Sequence, residues 1–203
     1  MEKNSKTISF EFFPSKTDSG KEKLISAAKT FETLSAEYFS VTFGASGSTR
    51  KGTLETCVEL YNSTKTPIAP HISGIGSTKE EIKAILKEYV DLGFKRLFVL
   101  RGDLPSGFGS VGDFRYAIDL INFIKKNYDN YFRIKVGAYP EVHPEALSAE
   151  VDLKHFIEKL DAGADGAVTQ FFYEPSSYID FLNNCIKLGV TAPITPGIMP
   201  ITN

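Results

Sequence analysis

The chain has 203 residues, 42% hydrophobic and 24% charged, with 23 Lys+Arg against 25 Asp+Glu and a formal charge of -2. Such values describe an ordinary globular protein of one domain or at most two, and the chain reads as a single incomplete domain over residues 1–203. The near-neutral balance argues against a nucleic-acid partner, which usually brings a basic excess. No apolar run approaches the roughly 18 residues needed to span a bilayer, and the start MEKNSKTISFEFF lacks the pattern of a secretory signal. Cys57 and Cys185 are the only cysteines and have no metal-ligand spacing, which fits a reducing, cytoplasmic setting.

Taken in chain order, short β-rich apolar runs predict seven strands, at 8–13, 38–43, 67–72, 96–100, 133–139, 167–173 and 193–199. Six helices are predicted between them. Leu24, Ala27, Ala28, Phe31 and Leu34 fall at three- and four-residue steps, as do Ile82, Ile85, Leu86 and Tyr89. Ile118, Ile121 and Phe123 continue the pattern, then Phe156 and Leu160, then Phe181, Leu182 and Ile186. Ser77 and Thr78 each have a Glu three residues on, the pattern of a capping box. Gly93, Gly163 and Gly189 each follow a helical stretch, where a left-handed cap favours glycine.

Alternation of strand and helix implies a parallel sheet, either a (β/α)8 barrel or an open doubly wound sheet. Glu11, Thr42, His71, Asp103, Tyr139 and Gln170 all lie at the C-terminal ends of predicted strands. Converging polar residues at those ends favour the barrel, whose chemistry sits at that mouth, over the open sheet, where function gathers at a switch point. The expected fold is therefore α/β, a (β/α)8 TIM-type barrel. About seven of its strands are present and the closing unit is missing, because the chain stops at Asn203 soon after the seventh run.

Several residues could carry chemistry. Glu11 sits among aromatics in Ser9-Phe10-Glu11-Phe12-Phe13-Pro14, so it is expected to be desolvated and to suit a general acid; the alternative is a buried Glu held by a neighbouring cation. Asp103 follows an apolar strand in Leu100-Arg101-Gly102-Asp103-Leu104-Pro105, as a functional carboxylate or as the cap of a turn shaped by Gly102. Gly107-Phe108-Gly109-Ser110-Val111-Gly112 has the letters of a dinucleotide fingerprint but not its context. Asp103-Leu104-Pro105-Ser106 intervenes between the strand and these glycines, and the next strand carries no acid at the expected place, so a loop over the barrel mouth is the better reading. Tyr139-Pro140-Glu141-Val142-His143-Pro144-Glu145-Ala146 is polar and bounded by prolines that would hold its Tyr and His still. His71 could be a satisfied core histidine, and His155 an exposed one. The three histidines lie on separate elements, so no metal site is expected.

These motifs, with Val41-Thr42-Phe43-Gly44-Ala45, Ala69-Pro70-His71, Asp161-Ala162-Gly163-Ala164 and Thr169-Gln170-Phe171-Phe172, resemble in order and register the methylenetetrahydrofolate reductase family. The resemblance implies an FAD-dependent oxidoreductase. NADH or NADPH would reduce the flavin, which would pass hydride to 5,10-methylenetetrahydrofolate by ping-pong kinetics, giving 5-methyltetrahydrofolate. By motif, Glu11 would be the general acid and Asp103 a catalytic, flavin-tuning and folate-binding residue. Gln170 would contact folate and nicotinamide in turn. FAD would be held by Thr42, Ala45, His71, Leu100, Arg101, Gly102, Asp103, Tyr139, His143, Ala146, Asp152 and Lys159, with Ala117 joining them. A cytoplasmic homo-oligomer acting on a small-molecule folate, with no nucleic-acid or membrane partner, is implied. The alternative is a non-catalytic, flavin-binding fragment or subunit that needs a partner chain. Phe43 replaces a frequent Tyr. His155 and Glu158 stand where some bacterial members carry Asn and Arg, and that Glu should weaken pyrophosphate binding unless another cation compensates.

Overall fold

A computed structural model describes residues 7–43, 47–103 and 112–200, without the side chains of 47–50. Among these, seven strands alternate with six helices. The strands are β1 (Phe10–Phe12), β2 (Phe39–Val41), β3 (Ile68–Ser73), β4 (Arg96–Leu100), β5 (Arg133–Ala138), β6 (Gly166–Thr169) and β7 (Ile194–Thr195). The helices are α1 (Asp18–Glu32), α2 (Gly47–Ser63), α3 (Lys79–Asp91), α4 (Ala117–Tyr128), α5 (Ala149–Asp161) and α6 (Pro175–Lys187). The chain divides into two compact units, 1–115 and 116–203.

In the first unit β1, β2, β3 and β4 are parallel neighbours in sequence order. Phe10 pairs with Phe39, which pairs in turn with Ile68, and Glu11 with Ser40, which pairs in turn with Ala69. The rows alternate, because successive strand residues face opposite sides. One face is apolar: Phe39, Val41, Ile68 and Ile72 are buried with Ala28, Leu60, Ile82 and Leu86 of the helices. The other carries Glu11, Ser40 and His71. In the second unit β5, β6 and β7 are again parallel and sequential. Ile134, Val136 and Ala138 are buried, as are Leu120, Ile124, Phe156 and Phe181 of its helices. Sequential parallel βα units are the pattern expected of a (β/α)8 barrel with seven of its strands, and the fold class stands.

Helix ends follow the sequence signals. Thr78, not Ser77, is the N-cap of α3: its Oγ1 accepts the Glu81 N–H, and the Glu81 carboxylate accepts the Thr78 N–H at 2.8 Å. Gly93, Gly163 and Gly189 take φ of 76, 112 and 82°, the left-handed region that ends a helix. The sixth and seventh strands are shorter than predicted. Beyond Thr169 the apolar residues leave the ladder and pack locally, with Phe172 stacked on Tyr178 at 5.2 Å. Pro193 and Pro196 bracket the short β7.

Candidate active site

In the first unit, β1 and β3 bring Glu11 and His71 together. The two residues share the polar face, and Glu11 Oε2 lies 3.3 Å from His71 Nε2. The Glu11 side chain is 46% exposed, and that of His71 only 6%. This corrects the expectation of a desolvated Glu11. Strand alternation sends the flanking aromatics to the opposite face, where Phe10 stacks on Phe31 at 4.1 Å and Phe12 meets Phe39 edge-on at 5.2 Å. Nor is His71 a satisfied core histidine. Its ring stacks on Phe98 at 4.5 Å, but its buried Nε2 makes no hydrogen bond among the described residues. The Glu11 carboxylate is near enough for an ion pair yet not aligned for a hydrogen bond.

The ends of β3 and β4 are tied to each other. Ser73 Oγ donates to the Arg101 carbonyl at 2.8 Å, and the Ile75 N–H to the same carbonyl at 3.0 Å. Gly102 has φ +83°, and a Cβ there would fall 1.9 Å from Ser73 Oγ, so glycine is required on both counts. Arg101 folds back, its Nε donating to Gly102 O at 3.2 Å, and Asp103 is exposed just beyond. Leu100 closes β4 opposite Ser73. Thr42 is half-buried beyond β2; its N–H donates to Phe12 O, and its carbonyl accepts from the Thr53 hydroxyl at 2.8 Å. Ala45 and the loop through Gly107 and Gly109 lie outside the described residues. The far end of that loop is described: Asp113 accepts the Lys79 N–H at 2.9 Å, and the Asp113 N–H donates to Ser77 O.

The second unit builds a denser cluster in the 139–146 loop and α5. Tyr139 and His143 meet edge to face at 4.5 Å. His143 Nδ1 accepts the Glu145 N–H at 3.0 Å, which assigns the proton of the neutral ring to Nε2 and makes that nitrogen a donor. Asp152 accepts the His143 N–H at 2.9 Å. Val142 has φ +68°, a conformation that costs a β-branched residue on the order of 1–3 kcal/mol. Ala146 closes the turn, its N–H donating to His143 O at 2.9 Å. Lys159 Nζ donates to Gly137 O at 2.7 Å; burial pushes this lysine down to about 8, and the Asp152 carboxylate pulls it partly back. Glu158, the unfavourable charge, lies 3.0 Å from His155 Nδ1 and is paired with Lys154 at 3.9 Å, so one cation does sit beside it. Gln170 is exposed after β6, its N–H donating to Ala138 O at 2.8 Å, and Ala117 opens α4.

Reading the sequence missed three supporting groups: Ser73, Gly137 and Val142. Only Gly137 carried a signal, a glycine inside a strand, which marks a close approach. Cys57 and Cys185 are free and buried, and burial raises both thiols, so neither is a poised nucleophile. No group of His, Cys, Asp and Glu among the described residues could hold a metal ion. No described helix is long and apolar enough to cross a membrane.

Sequential parallel βα units define an α/β architecture of the (β/α)8 barrel type. The family model for methylenetetrahydrofolate reductase matches residues 1–203, and the chain belongs to that family. It is 39% identical over 196 residues to a 5,10-methylenetetrahydrofolate reductase of Salmonella typhimurium, covering 97% of this chain and 65% of that protein. It is 37% identical over 215 residues to methylenetetrahydrofolate reductase (NADH) 1 of Arabidopsis thaliana, covering all of this chain and 36% of that one. The chain thus spans about 65% of the length of its bacterial relative. Among solved structures it resembles phosphonopyruvate hydrolase bound to oxalate and Mg++, with TM-score 0.65, 12% identity, and 94% and 66% of the two chains covered, a likeness of fold alone.

Proposed function

We propose that this chain is the FAD-binding catalytic domain, residues 1–203, of an enzyme that reduces 5,10-methylenetetrahydrofolate to 5-methyltetrahydrofolate with NADH or NADPH. One observation carries the reading: in a chain matched along its whole length by the family, Glu11 sits in β1 one residue before its end, and Asp103 and Gln170 just past the C-terminal ends of β4 and β6. The donor set fits a flavin dinucleotide. His71 Nε2 is a buried nitrogen awaiting a partner, His143 Nε2 is a donor, and Lys159 has one recorded acceptor among the described residues for its three hydrogens. Lys159 and His143 suit phosphate oxygens, and His71, Leu100, Arg101 and Gly102 suit the ring system. Thr42, Ala45, Asp103, Ala117, Tyr139, Ala146 and Asp152 complete the set.

A flavin held by these residues would supply a two-electron relay for hydride between the nicotinamide and the folate, in ping-pong order. Glu11 moves the proton. Its carboxyl protonates folate N10 as the five-membered ring opens, and the exposed carboxylate recovers a proton from water. The substrate ring itself must supply the desolvation that Phe10 and Phe12 do not. Asp103 places a negative charge by the flavin and binds the pterin; Gln170 hydrogen-bonds folate or nicotinamide in turn. We take the enzyme to be a cytoplasmic homo-oligomer.

The test is the purified chain mixed with FAD and desalted, followed by NAD(P)H oxidation with and without the folate. Retained flavin absorption with folate-dependent turnover supports the proposal. Retained flavin without turnover supports a second reading, favoured by the 65% span: a flavin-binding piece that needs further chain. Loss of all flavin overturns both.

A further inference from the structure

We infer that Asp152 is a positioning residue, clamping a strained turn at Val142 so that His143 is held in its binding orientation; the inference rests on the flavin reading above. Val142 stands at φ +68° with more than a third of its surface exposed, so packing of its own side chain does little to hold it there. Strain of this kind persists only where the surroundings over-determine it. Three of the bonds around it lie inside the loop and move with it. The Val142 N–H reaches Tyr139 O at 3.3 Å, the Glu145 N–H reaches His143 Nδ1 at 3.0 Å, and the Ala146 N–H reaches His143 O at 2.9 Å. The bond from the His143 N–H to Asp152 Oδ2, at 2.9 Å, ties the turn to a helix.

Asp152 can serve as an anchor because its own place is fixed. It is half-buried in the opening turns of α5, its N–H donating to the Ser148 carbonyl at 3.0 Å. Ser148 caps that helix, its hydroxyl accepting the Val151 N–H at 3.3 Å. The same carboxylate acts on Lys159, seven residues and two turns further along α5. One acid therefore sets the backbone of a candidate cofactor donor and also faces the charge of another. Besides its place among the flavin-holding residues, Asp152 acts on the ligand through His143, and the strain at Val142 is what makes the clamp necessary.

The experiment compares wild type, Asp152→Ala, Asp152→Asn, Val142→Gly and the Val142→Gly/Asp152→Ala pair. Amide hydrogen exchange at His143, Glu145 and Ala146 is read without ligand, and FAD affinity is read by flavin fluorescence. Asp152→Ala is expected to speed exchange at least tenfold and to weaken FAD by ten- to a hundredfold. Asp152→Asn keeps an acceptor oxygen and restores slow exchange. Val142→Gly is expected to raise the thermal midpoint by a few degrees, and in its background Asp152→Ala should lose less protection. Exchange within twofold of wild type in Asp152→Ala overturns the clamp, whatever FAD does. If Asp152→Ala does not fold, a lowered midpoint in Val142→Gly overturns it instead. Faster exchange in a protein that never bound FAD leaves the clamp standing and removes the flavin reading.

Discussion

The two units meet their polar groups in opposite ways. In the first, Glu11 and His71 face each other at 3.3 Å, and the buried Nε2 of His71 is left without a hydrogen bond. In the second, the His143 N–H donates to Asp152 at 2.9 Å and its Nδ1 accepts the Glu145 N–H at 3.0 Å, and Lys159 is secured to a strand carbonyl at 2.7 Å. An unsatisfied buried group is expensive and signals a partner still to come. A satisfied network is already organised and can bind without rearranging. The His71 face of the first unit therefore still needs a partner, whereas the 139–159 cluster of the second is already organised for holding one.

The largest effect that tests this contrast is at Glu11. In whole enzyme, Glu11→Gln is expected to slow folate reduction by about 10²- to 10⁴-fold, the usual worth of a general acid. The half-reaction with NAD(P)H should stay near wild type, because it needs no proton from Glu11. Stopped-flow measurement of the two half-reactions separates them. Normal folate reduction in this variant would remove Glu11 from the mechanism.

Lys159 tests the holding side. Losing one charge-assisted hydrogen bond is worth roughly 1.5–3 kcal/mol, so Lys159→Met should weaken FAD by about ten- to a hundredfold. The pH dependence is sharper. Burial lowers this lysine from 10.5 to about 8 in the folded chain. Between those values the unfolded chain holds a proton that the folded chain has released, so this group makes stability rise with pH across the window. Below pH 8 both states are charged and that contribution is gone. Denaturation midpoints from pH 7 to 10 should show the rise in wild type and lose it in Lys159→Met. FAD affinity should run the other way, falling above pH 8, because an ammonium facing phosphate must first regain its proton.

Gly102→Ala probes the junction of β3 and β4. With φ +83° and Ser73 Oγ 1.9 Å from the new Cβ, the cost should be on the order of 1–3 kcal/mol, read as a lower thermal midpoint without ligand. An unchanged midpoint would mean that the turn relaxes freely.

Much of this was legible in the sequence, for identifiable reasons. A continuous apolar run marks β4 and a 3.6-residue period marks α3, and β4 matches its predicted bounds, Arg96–Leu100. Helix α2 is different. Its Gly-Ser-Thr-rich start and scattered apolar residues give little stripe, and it follows from alternation more than from its own residues. At the site, residue identity was readable but environment was not. The aromatics around Glu11 are its neighbours in sequence, and the pleat turns them to the far face. Val142 shows the same limit, since nothing in Tyr-Pro-Glu-Val-His-Pro announces a left-handed valine.

The smallest effect is the most discriminating between the units. His71→Phe keeps a flat ring against Phe98 and removes the unbonded nitrogen. A buried unsatisfied group costs about 1–3 kcal/mol, so the flavin-free protein should melt several degrees higher, at roughly 2–4 °C per kcal/mol for a chain of this size. FAD affinity should fall at the same time, because the nitrogen that awaited a partner is gone. The same substitution at His143 breaks the Glu145 N–H bond and should lower both stability and affinity. Opposite signs at His71 and like signs at His143 are what a face that needs a partner and a cluster already organised to hold one require. A midpoint that falls in both variants would show that His71 is as well satisfied as His143, and the contrast between the two units would collapse.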